Sequence, residues 1–195
     1  IQSESFLRMD FFLFRKRLMR IISGSHKGRR IEPPKNMTAR PTTDFAKESL
    51  FNVLNNIMDF EDAMVLDLFS GTGSISYEFA SRGAASVVSV EQSKLHANFI
   101  RKMKTDLKFD SMNIVQGDVF KYINTCSSKF DLIFADPPYA LPTLPTLPDL
   151  VMGRGMLREG GLFVLEHSSA YDFSDSPFFK DRRRYGSVNF TFFGV

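Results

Sequence analysis

The sequence predicts an α/β protein with a mostly parallel sheet that carries helices on both faces. Short apolar runs typical of buried strands alternate along the chain with amphipathic segments of helical length. Such alternation indicates βαβ units, because parallel strands need a long crossover between them. A length of 195 residues and a hydrophobic content of 43% fit one globular domain with a sizeable core.

The N-terminal part of the chain is basic. We expect residues 1–18, which show no clear period, to be an extension or a disordered segment. Residues 19–43 should form a hairpin with short strands at Arg20–Ser23 and Arg29–Ile31. Residues 1–35 contain nine Lys or Arg and three Asp or Glu, a net +6 on a chain whose total is +3. This charge favours a polyanion partner, usually nucleic acid. The hairpin cations are Lys27, Arg29 and Arg30.

A first long helix is predicted to begin at Asp44, which suits the N-cap position. Its apolar face is formed by Phe45, Leu50, Phe51, Leu54 and Ile57. For Arg40 and Thr42, which precede this helix, spacing alone favours ordinary cap chemistry.

The rest of a domain predicted over residues 44–195 alternates between strands and helices. The predicted strands are Met64–Leu68, Ser86–Val90, Met112–Gln116, Phe130–Ala135 and Gly161–Glu166. The predicted helices are Ser74–Ser81, Ser93–Leu107 and 119 to about 126. Residues 141–150 contain three prolines, so they should become helical only late. Residues 172–184 should be a polar connection, and Tyr185–Phe193 a last strand that pairs near Arg182.

Acidic residues follow three successive predicted strands. Asp67 precedes a glycine turn that lacks the third glycine of a dinucleotide fingerprint, because Ser76 stands there. A carboxylate at this place suits a positive centre better than a pyrophosphate. Glu91 is placed to accept the hydroxyls of a ribose, and Asp118 could accept from an adenine amine. Each acid alone could be an ordinary loop carboxylate, but together they describe a site for S-adenosylmethionine.

The predicted strand Phe130–Ala135 is followed by Asp136-Pro137-Pro138-Tyr139. The prolines end the strand and stiffen the backbone. A carboxylate, a rigid carbonyl and an aromatic ring therefore meet at the edge where α/β sheets bind ligands. This set suits a planar amine that must be held still.

The cysteine, the histidines and the apolar runs of the sequence argue against a disulfide framework, a metal site and a membrane span. A single Cys126 excludes an internal disulfide framework and fits a reducing cytoplasm. His26 and His167 lack the spacing of metal ligands, so no metal is expected. The apolar run at residues 11–14 is too short to span a bilayer, so no membrane partner is expected.

Several segments together form a family pattern. They are Met19–Gly24, Gly28–Arg30, Arg40–Thr42, Glu48–Asn52, Asp67–Gly73, Ser81–Ala84, Asp136–Tyr139 and Tyr185–Gly186. In these, the chain from residue 19 to its end resembles the class I methyltransferases. It is most similar to the bacterial 16S ribosomal RNA guanine-N2 methyltransferases of the RsmD type. The glycine turn and the Asp-Pro-Pro-Tyr segment occur in many amino-methylating enzymes, so the hairpin and Arg40–Thr42 are the more specific marks.

The resemblance implies a Rossmann-like, seven-stranded sheet with an N-terminal β-hairpin extension, and S-adenosyl-L-methionine as cofactor without a metal. It implies a monomer that acts on 16S ribosomal RNA within a small-subunit particle. The implied catalytic residues are Asp136, Pro137 and Tyr139. The implied cofactor-binding residues are Thr42, Asp67, Phe69, Gly71, Gly73, Glu91, Asp118, Val119 and Asp136. The implied RNA-binding residues are Lys27, Arg29, Arg30, Arg40, Arg182, Arg183 and Arg184.

The implied reaction, methylation of the exocyclic amine of a guanine, agrees with the residue chemistry. Asp136 and the Pro137 carbonyl would accept from the two N–H bonds and draw the nitrogen lone pair out of conjugation. Tyr139 would stack on the base and contribute roughly 1–3 kcal/mol. The target guanine must be single-stranded or flipped to enter such a pocket.

Three alternatives stay open from the sequence. An adenine-N6 DNA methyltransferase uses the same acid-Pro-Pro-aromatic segment, although we expect no room here for a separate target-recognition domain. A glutamine-N5 protein methyltransferase usually carries Asn in place of Asp136 and needs no basic hairpin. A non-catalytic RNA-binding assembly factor would not need intact acids such as Asp67 and Glu91.

Overall fold

A computed structural model describes residues 18–37 and 43–195. The predictions for residues 1–17, and those for Arg40 and Thr42, lie outside the described residues. Among the helices that the structure describes, none is both long enough and apolar enough to cross a membrane.

The described strands form a small hairpin and a seven-stranded sheet. They are β1 (Met19–Arg20), β2 (Arg30–Ile31), β3 (Met64–Leu68), β4 (Ser86–Glu91), β5 (Met112–Gln116), β6 (Phe130–Ala135), β7 (Leu157–His167), β8 (Phe179–Tyr185) and β9 (Val188–Gly194). The sheet has the order β5-β4-β3-β6-β7-β9-β8. Five strands, β5, β4, β3, β6 and β7, run parallel to one another. Strand β9 is antiparallel to both β7 and β8. The predicted mostly parallel, seven-stranded sheet is confirmed.

Helices cover both faces of this sheet. They are α1 (Asp44–Asn55), α2 (Ser74–Ser81), α3 (Lys94–Asp106), α4 (Val119–Thr125) and α5 (Leu147–Gly153), the last preceded by a 3-10 turn at Leu144–Thr146. Successive strand residues point to opposite faces. Val65 of β3 therefore joins the core shared with α1, α2 and α3, whereas Leu66 joins the core shared with α4 and α5. Both faces of β3 are buried, and its residues are apolar at every position except Asp67.

The strand order places a crevice at the centre of the sheet. Strands β4 and β5 lie on one side of β3, and β6 and β7 lie on the other. The order therefore reverses between β3 and β6, and the loops that leave their carboxyl ends diverge to opposite faces. Such a switch point is where α/β sheets bind ligands. Phe69 follows β3 there, and Asp136 follows β6.

Helix α1 differs from its prediction in its N-cap and in its apolar face. Thr43, not Asp44, is the N-cap, because the Thr43 hydroxyl accepts a hydrogen bond from the Ala46 N–H at 3.2 Å. Asp44 is instead the first residue of the helix. Phe45 and Ile57 are 67% and 54% exposed, so the apolar face is narrower than predicted and contains Leu50, Phe51 and Leu54.

The C-terminal part of the sheet also differs from its prediction. The strand predicted at Gly161–Glu166 is β7, which begins earlier, at Leu157, with an irregularity in its pairing to β6. The predicted polar connection over 172–184 contains most of β8. Tyr185 ends β8 rather than beginning the last strand, β9. The expected pairing near Arg182 is present, because Arg182 lies opposite Thr191.

The N-terminal hairpin is fixed to α2. Its strands pair antiparallel, with Met19 opposite Ile31. Glu78 of α2 is fully buried and accepts hydrogen bonds from the Ile22 and Ser23 N–H groups at 2.9 and 3.0 Å. Arg82 donates to the same carboxylate at 2.9 Å from its Nε. The hairpin is thus attached to the domain through backbone groups that need a buried acceptor.

Replacing Glu78 with alanine should lower the free energy of unfolding by about 3–5 kcal/mol, the usual cost of breaking a buried ion pair from one side. Two backbone donors of the hairpin would lose their acceptor, and the buried Lys47 ammonium, 3.9 Å from the carboxylate, would lose a counter-charge. Chemical denaturation measures this loss. Glu48→Ala, an exposed change on α1, is the control. Equal unfolding free energies for the two variants would contradict this role of Glu78.

Candidate active site

A cleft of about 550 Å³ opens at the carboxyl ends of the parallel strands. It is lined by Phe69, Gly71, Glu91, Gln92, Ser93, His96, Asp118, Val119, Phe120, Asp136, Pro137, Pro138, Tyr139, Leu141 and Glu166. Eight predicted site residues therefore meet in one cavity: Phe69, Gly71, Glu91, Asp118, Val119, Asp136, Pro137 and Tyr139. The cavity volume falls in the range of small-molecule and cofactor sites.

The Asp-Pro-Pro-Tyr corner, residues Asp136–Tyr139, forms one wall of the cleft. The Asp136 N–H lies 3.4 Å from the Leu68 carbonyl, so the corner starts against the end of β3. Pro137 is buried, and Asp136 and Tyr139 are half-buried. The Tyr139 hydroxyl donates to Glu166 Oε1 at 3.1 Å, and the Tyr171 hydroxyl donates to the Tyr139 carbonyl at 3.1 Å. The ring and the backbone of Tyr139 are thus both held in place.

The glycine turn forms the floor next to this wall. Phe69, Gly71 and Gly73 all have positive φ angles, of 62°, 55° and 85°. This conformation is strained for phenylalanine and is typical of residues that a binding site holds in place. Gly73 does not line the cleft, and a Cβ there would lie 2.7 Å from Cζ of the Tyr77 ring. Gly73 lets the turn pack closely on α2, whereas Gly71 exposes backbone to the cleft.

Glu91 at the end of β4 binds the glycine turn that follows β3. Its Oε2 accepts from the Gly71 N–H at 2.8 Å, and its Oε1 accepts from the Ser93 N–H at 2.7 Å. His96 lies 3.8 Å from the same Oε1. Because each carboxylate oxygen can accept more than one hydrogen bond, these contacts orient Glu91 without exhausting its capacity. The arrangement can receive the paired hydroxyls of a sugar.

The segment that follows β5 supplies an acid and an apolar wall to the cleft. Asp118 is the N-cap of α4 and accepts from the Lys121 N–H at 2.8 Å through Oδ1. Val119 is buried beside it, and Phe120 packs edge-on against Phe69 with ring centroids 6.3 Å apart. An acid next to apolar and aromatic side chains suits the amine and the faces of a purine.

Asp67 lies beneath the turn rather than in the cleft. It is 1% exposed, and its Oδ2 accepts from the Ser76 hydroxyl at 2.5 Å. Burial raises the pKa of Asp67 to about 7, against the hydrogen bonds from Ser76 and Ser70 that lower it. Asp67 therefore supports the turn from below in this structure, and the cofactor contact expected of it stays a prediction.

The raised pKa of Asp67 predicts a pH-dependent stability. Between pH 4 and 7 the unfolded chain releases this proton before the folded protein does, so the free energy of unfolding falls as the pH rises. Above about pH 7 this contribution becomes constant. Asp67→Asn lacks the titration, so its melting temperature relative to wild type should rise from pH 4.5 to 7 and then level off. A difference that is constant over this range would contradict the burial effect.

The predicted RNA-binding cations lie on two surfaces. Lys27, Arg29 and Arg30 are exposed on the hairpin, which runs along α2. Its β1 end contacts the glycine turn through Met19 and Thr72, whereas its loop contacts Ser81 at the other end of α2. The hairpin cations therefore extend from the cleft edge of the sheet towards the opposite edge.

The second group, Arg182, Arg183 and Arg184, is exposed on the edge strand β8. Because β8 runs in the same direction as the parallel strands, Arg184 ends at the edge that carries the cleft. Arg182 lies 3.4 Å from Asp172, and Arg183 Nε donates to Asp181 at 2.7 Å. Two of the three arginines thus have acidic neighbours that an RNA phosphate would have to displace.

The sequence prediction missed several cleft residues, chiefly Glu166, His96 and Phe120. Glu166 is the most informative of these three, because it lies at or next to the end of a parallel strand, as Asp67 and Glu91 do. An acid at a strand end was thus the available signal. Among the described residues, no group of three or more His, Cys, Asp or Glu side chains could hold a metal ion.

The chain is similar to known proteins over most of its length. A family model described as Conserved hypothetical protein 95 matches residues 19–194. Ribosomal RNA small subunit methyltransferase D of Escherichia coli (strain K12) is 30% identical over 148 residues, which cover 76% of this chain and 74% of that protein. The protein of the same name from Haemophilus influenzae is 30% identical over 152 residues, which cover 76% and 78%.

Solved structures share the fold over nearly the whole chain. The structure of yhhF from Escherichia coli has a TM-score of 0.80 and 25% identity, and covers 90% of this chain and 97% of its own. A hypothetical protein of Thermus thermophilus has a TM-score of 0.80 and 26% identity, and covers 91% and 99%.

Proposed function

Because the chain belongs to the Conserved hypothetical protein 95 family, the RsmD family, we propose that it methylates 16S ribosomal RNA with S-adenosyl-L-methionine as donor. We infer that the acceptor is the exocyclic N2 amine of a guanine. The observation that carries this proposal is the meeting of Asp136 and Tyr139 with Glu91 and Asp118 in one cleft at the switch point of the sheet.

The residues of the cleft suit S-adenosyl-L-methionine. Glu91 is oriented for ribose hydroxyls, Asp118 for the adenine amine, and Phe69 and Phe120 for the faces of the adenine ring. The abundance of carboxylates also suits a ligand with cationic sulfonium and ammonium groups and opposes a phosphate-bearing dinucleotide. When bound, the sulfonium supplies a methyl group that is already activated for transfer.

The corner residues prepare the acceptor. The Asp136 carboxylate and the Pro137 carbonyl accept from the two N–H bonds of the amine, which localises the nitrogen lone pair and directs it to the methyl carbon. Bound in the cleft, the sulfonium would supply the methyl group and retain the electron pair of the broken carbon–sulfur bond, and Asp136 would take the proton that the nitrogen loses. Tyr139, fixed by Glu166 and Tyr171, stacks on the base. Catalysis is then positioning and electrostatics.

The exposed cations support a folded RNA or a ribosomal particle as substrate. The hairpin cations extend away from the cleft along α2, and Arg184 approaches the cleft edge from β8. One flipped nucleotide in the cleft cannot reach both surfaces, so the surrounding RNA must cover them. A ribosomal substrate also fits a cytoplasmic enzyme.

The proposal is tested by incubating the protein with methyl-labelled S-adenosyl-L-methionine and four acceptors: unmethylated small-subunit particles, naked 16S RNA, DNA and total protein. We expect label in particles or RNA, recovered as N2-methylguanosine after digestion to nucleosides. Label in N6-methyladenine of DNA, or in protein glutamine, would replace this function with one of the alternatives from the sequence.

A further inference from the structure

Glu166 contributes a carboxylate to the cleft. The proposed reaction assigns this carboxylate no contact with the substrate. It is 4% exposed and lines the cleft at the end of β7. Ala135 lies opposite Leu165 in the parallel pair of β6 and β7. Asp136 and Glu166 are therefore the next residues on neighbouring strands, and both line the same cavity.

The position of Glu166 is linked to that of the stacking ring. The Tyr139 hydroxyl donates to Glu166 Oε1 at 3.1 Å, so the carboxylate lies at the phenol end of the ring. A base stacked on this ring would present one of its edges to that carboxylate. Asp136 and Glu166 would then face adjacent groups of the same edge.

The chemistry of two adjacent carboxylates distinguishes the purines. The Watson–Crick edge of guanine carries the N1–H and N2–H donors side by side. Adenine carries an amine next to an unprotonated N1, which is an acceptor. A carboxylate accepts hydrogen bonds and donates none when ionised, so it pairs with guanine N1–H and repels the lone pair of adenine N1.

This inference rests on the proposed function and deepens it. We propose that Glu166 selects guanine by accepting its N1–H, which leaves Asp136 to hold the N2 amine that is methylated. Glu166 is thus a specificity-determining residue, and its carboxylate also accepts the hydrogen bond of the Tyr139 hydroxyl.

The test compares two acceptors at the nucleotide that the wild-type enzyme methylates, once that nucleotide has been mapped in 16S RNA. One RNA carries guanine there, and the other carries 2-aminopurine, which keeps the N2 amine but has an unprotonated N1. Wild type should prefer guanine in kcat/KM. In Glu166→Gln the amide can donate to that N1, so the preference should shrink by at least about tenfold, as expected for one good base contact. Loss of the guanine O6 affects both enzymes alike and cancels in the comparison.

Tyr139→Phe is the matched control, because it removes the hydroxyl bonded to Glu166 and keeps the ring. Its preference for guanine should stay within about threefold of wild type, since Glu166 keeps its charge. An unchanged preference in Glu166→Gln, with S-adenosylhomocysteine binding intact by calorimetry, would overturn the inference and leave Glu166 as a support for Tyr139. If wild type instead forms no N2-methylguanosine, the proposed function itself fails.

Discussion

Replacing Asp136 with alanine should lower the rate constant of methyl transfer by about 10²- to 10⁴-fold, the range for loss of a positioned proton acceptor. Asp136 follows β6 at the switch point and lines the cleft next to Glu166. Without its carboxylate, the amine loses both the acceptor that orients it and the group that takes its proton. Single-turnover transfer of labelled methyl to small-subunit particles measures the loss.

The same variant should bind S-adenosylhomocysteine within about threefold of wild type, because Glu91 and Asp118 hold the adenosine in the proposed site. Asp136→Asn is the matched control: its amide oxygen can orient one N–H but cannot take the proton, so its rate should fall between those of wild type and alanine. A rate in Asp136→Ala equal to that of wild type would remove Asp136 from the mechanism.

Replacing Lys27, Arg29 and Arg30 with glutamate should weaken binding to small-subunit particles by at least about a hundredfold at low salt. All three side chains are exposed on the hairpin. If each contacts a phosphate, the slope of log K against log salt should become shallower by about 2 to 3, because fewer counterions are released. Binding measured over a series of salt concentrations gives both quantities.

The control changes the same total charge elsewhere. Lys102, Lys129 and Arg154 are exposed cations on α3, before β6 and after α5. Reversing these three should change affinity far less and leave the salt slope near that of wild type. Equal losses in the two triple variants would mean that net charge alone, and not the hairpin, governs RNA binding.

Strands β3 and β6 were predictable because both of their faces are buried. The predicted bounds of Met64–Leu68, Met112–Gln116 and Phe130–Ala135 agree with β3, β5 and β6. Strand β8 was not predicted, because an edge strand exposed to solvent keeps its charged residues, here Lys180 to Arg184, and shows no apolar alternation. Thr43 was missed as the N-cap because Asp44, one residue later, is the more strongly preferred capping residue.

The strand ends that form the site could be predicted from the sequence. The direction in which each of their side chains points could not. Glu91, Asp118 and Asp136 line the cleft as expected. Asp67 also lies near the end of its strand, but its carboxylate is buried and accepts a hydrogen bond from the Ser76 hydroxyl. Whether an acid points into a crevice or beneath a turn depends on backbone angles that the sequence does not reveal.

The proposed mechanism rests on the claim that one cleft holds the methyl donor against a base bound by the Asp-Pro-Pro-Tyr corner. A crystal structure with S-adenosylhomocysteine bound would show whether it does. We expect the ribose hydroxyls on Glu91, the adenine beside Asp118 and Phe120, and the sulfur directed towards Asp136. A ligand bound outside this cleft, or one whose sulfur points away from Asp136, would contradict the claim.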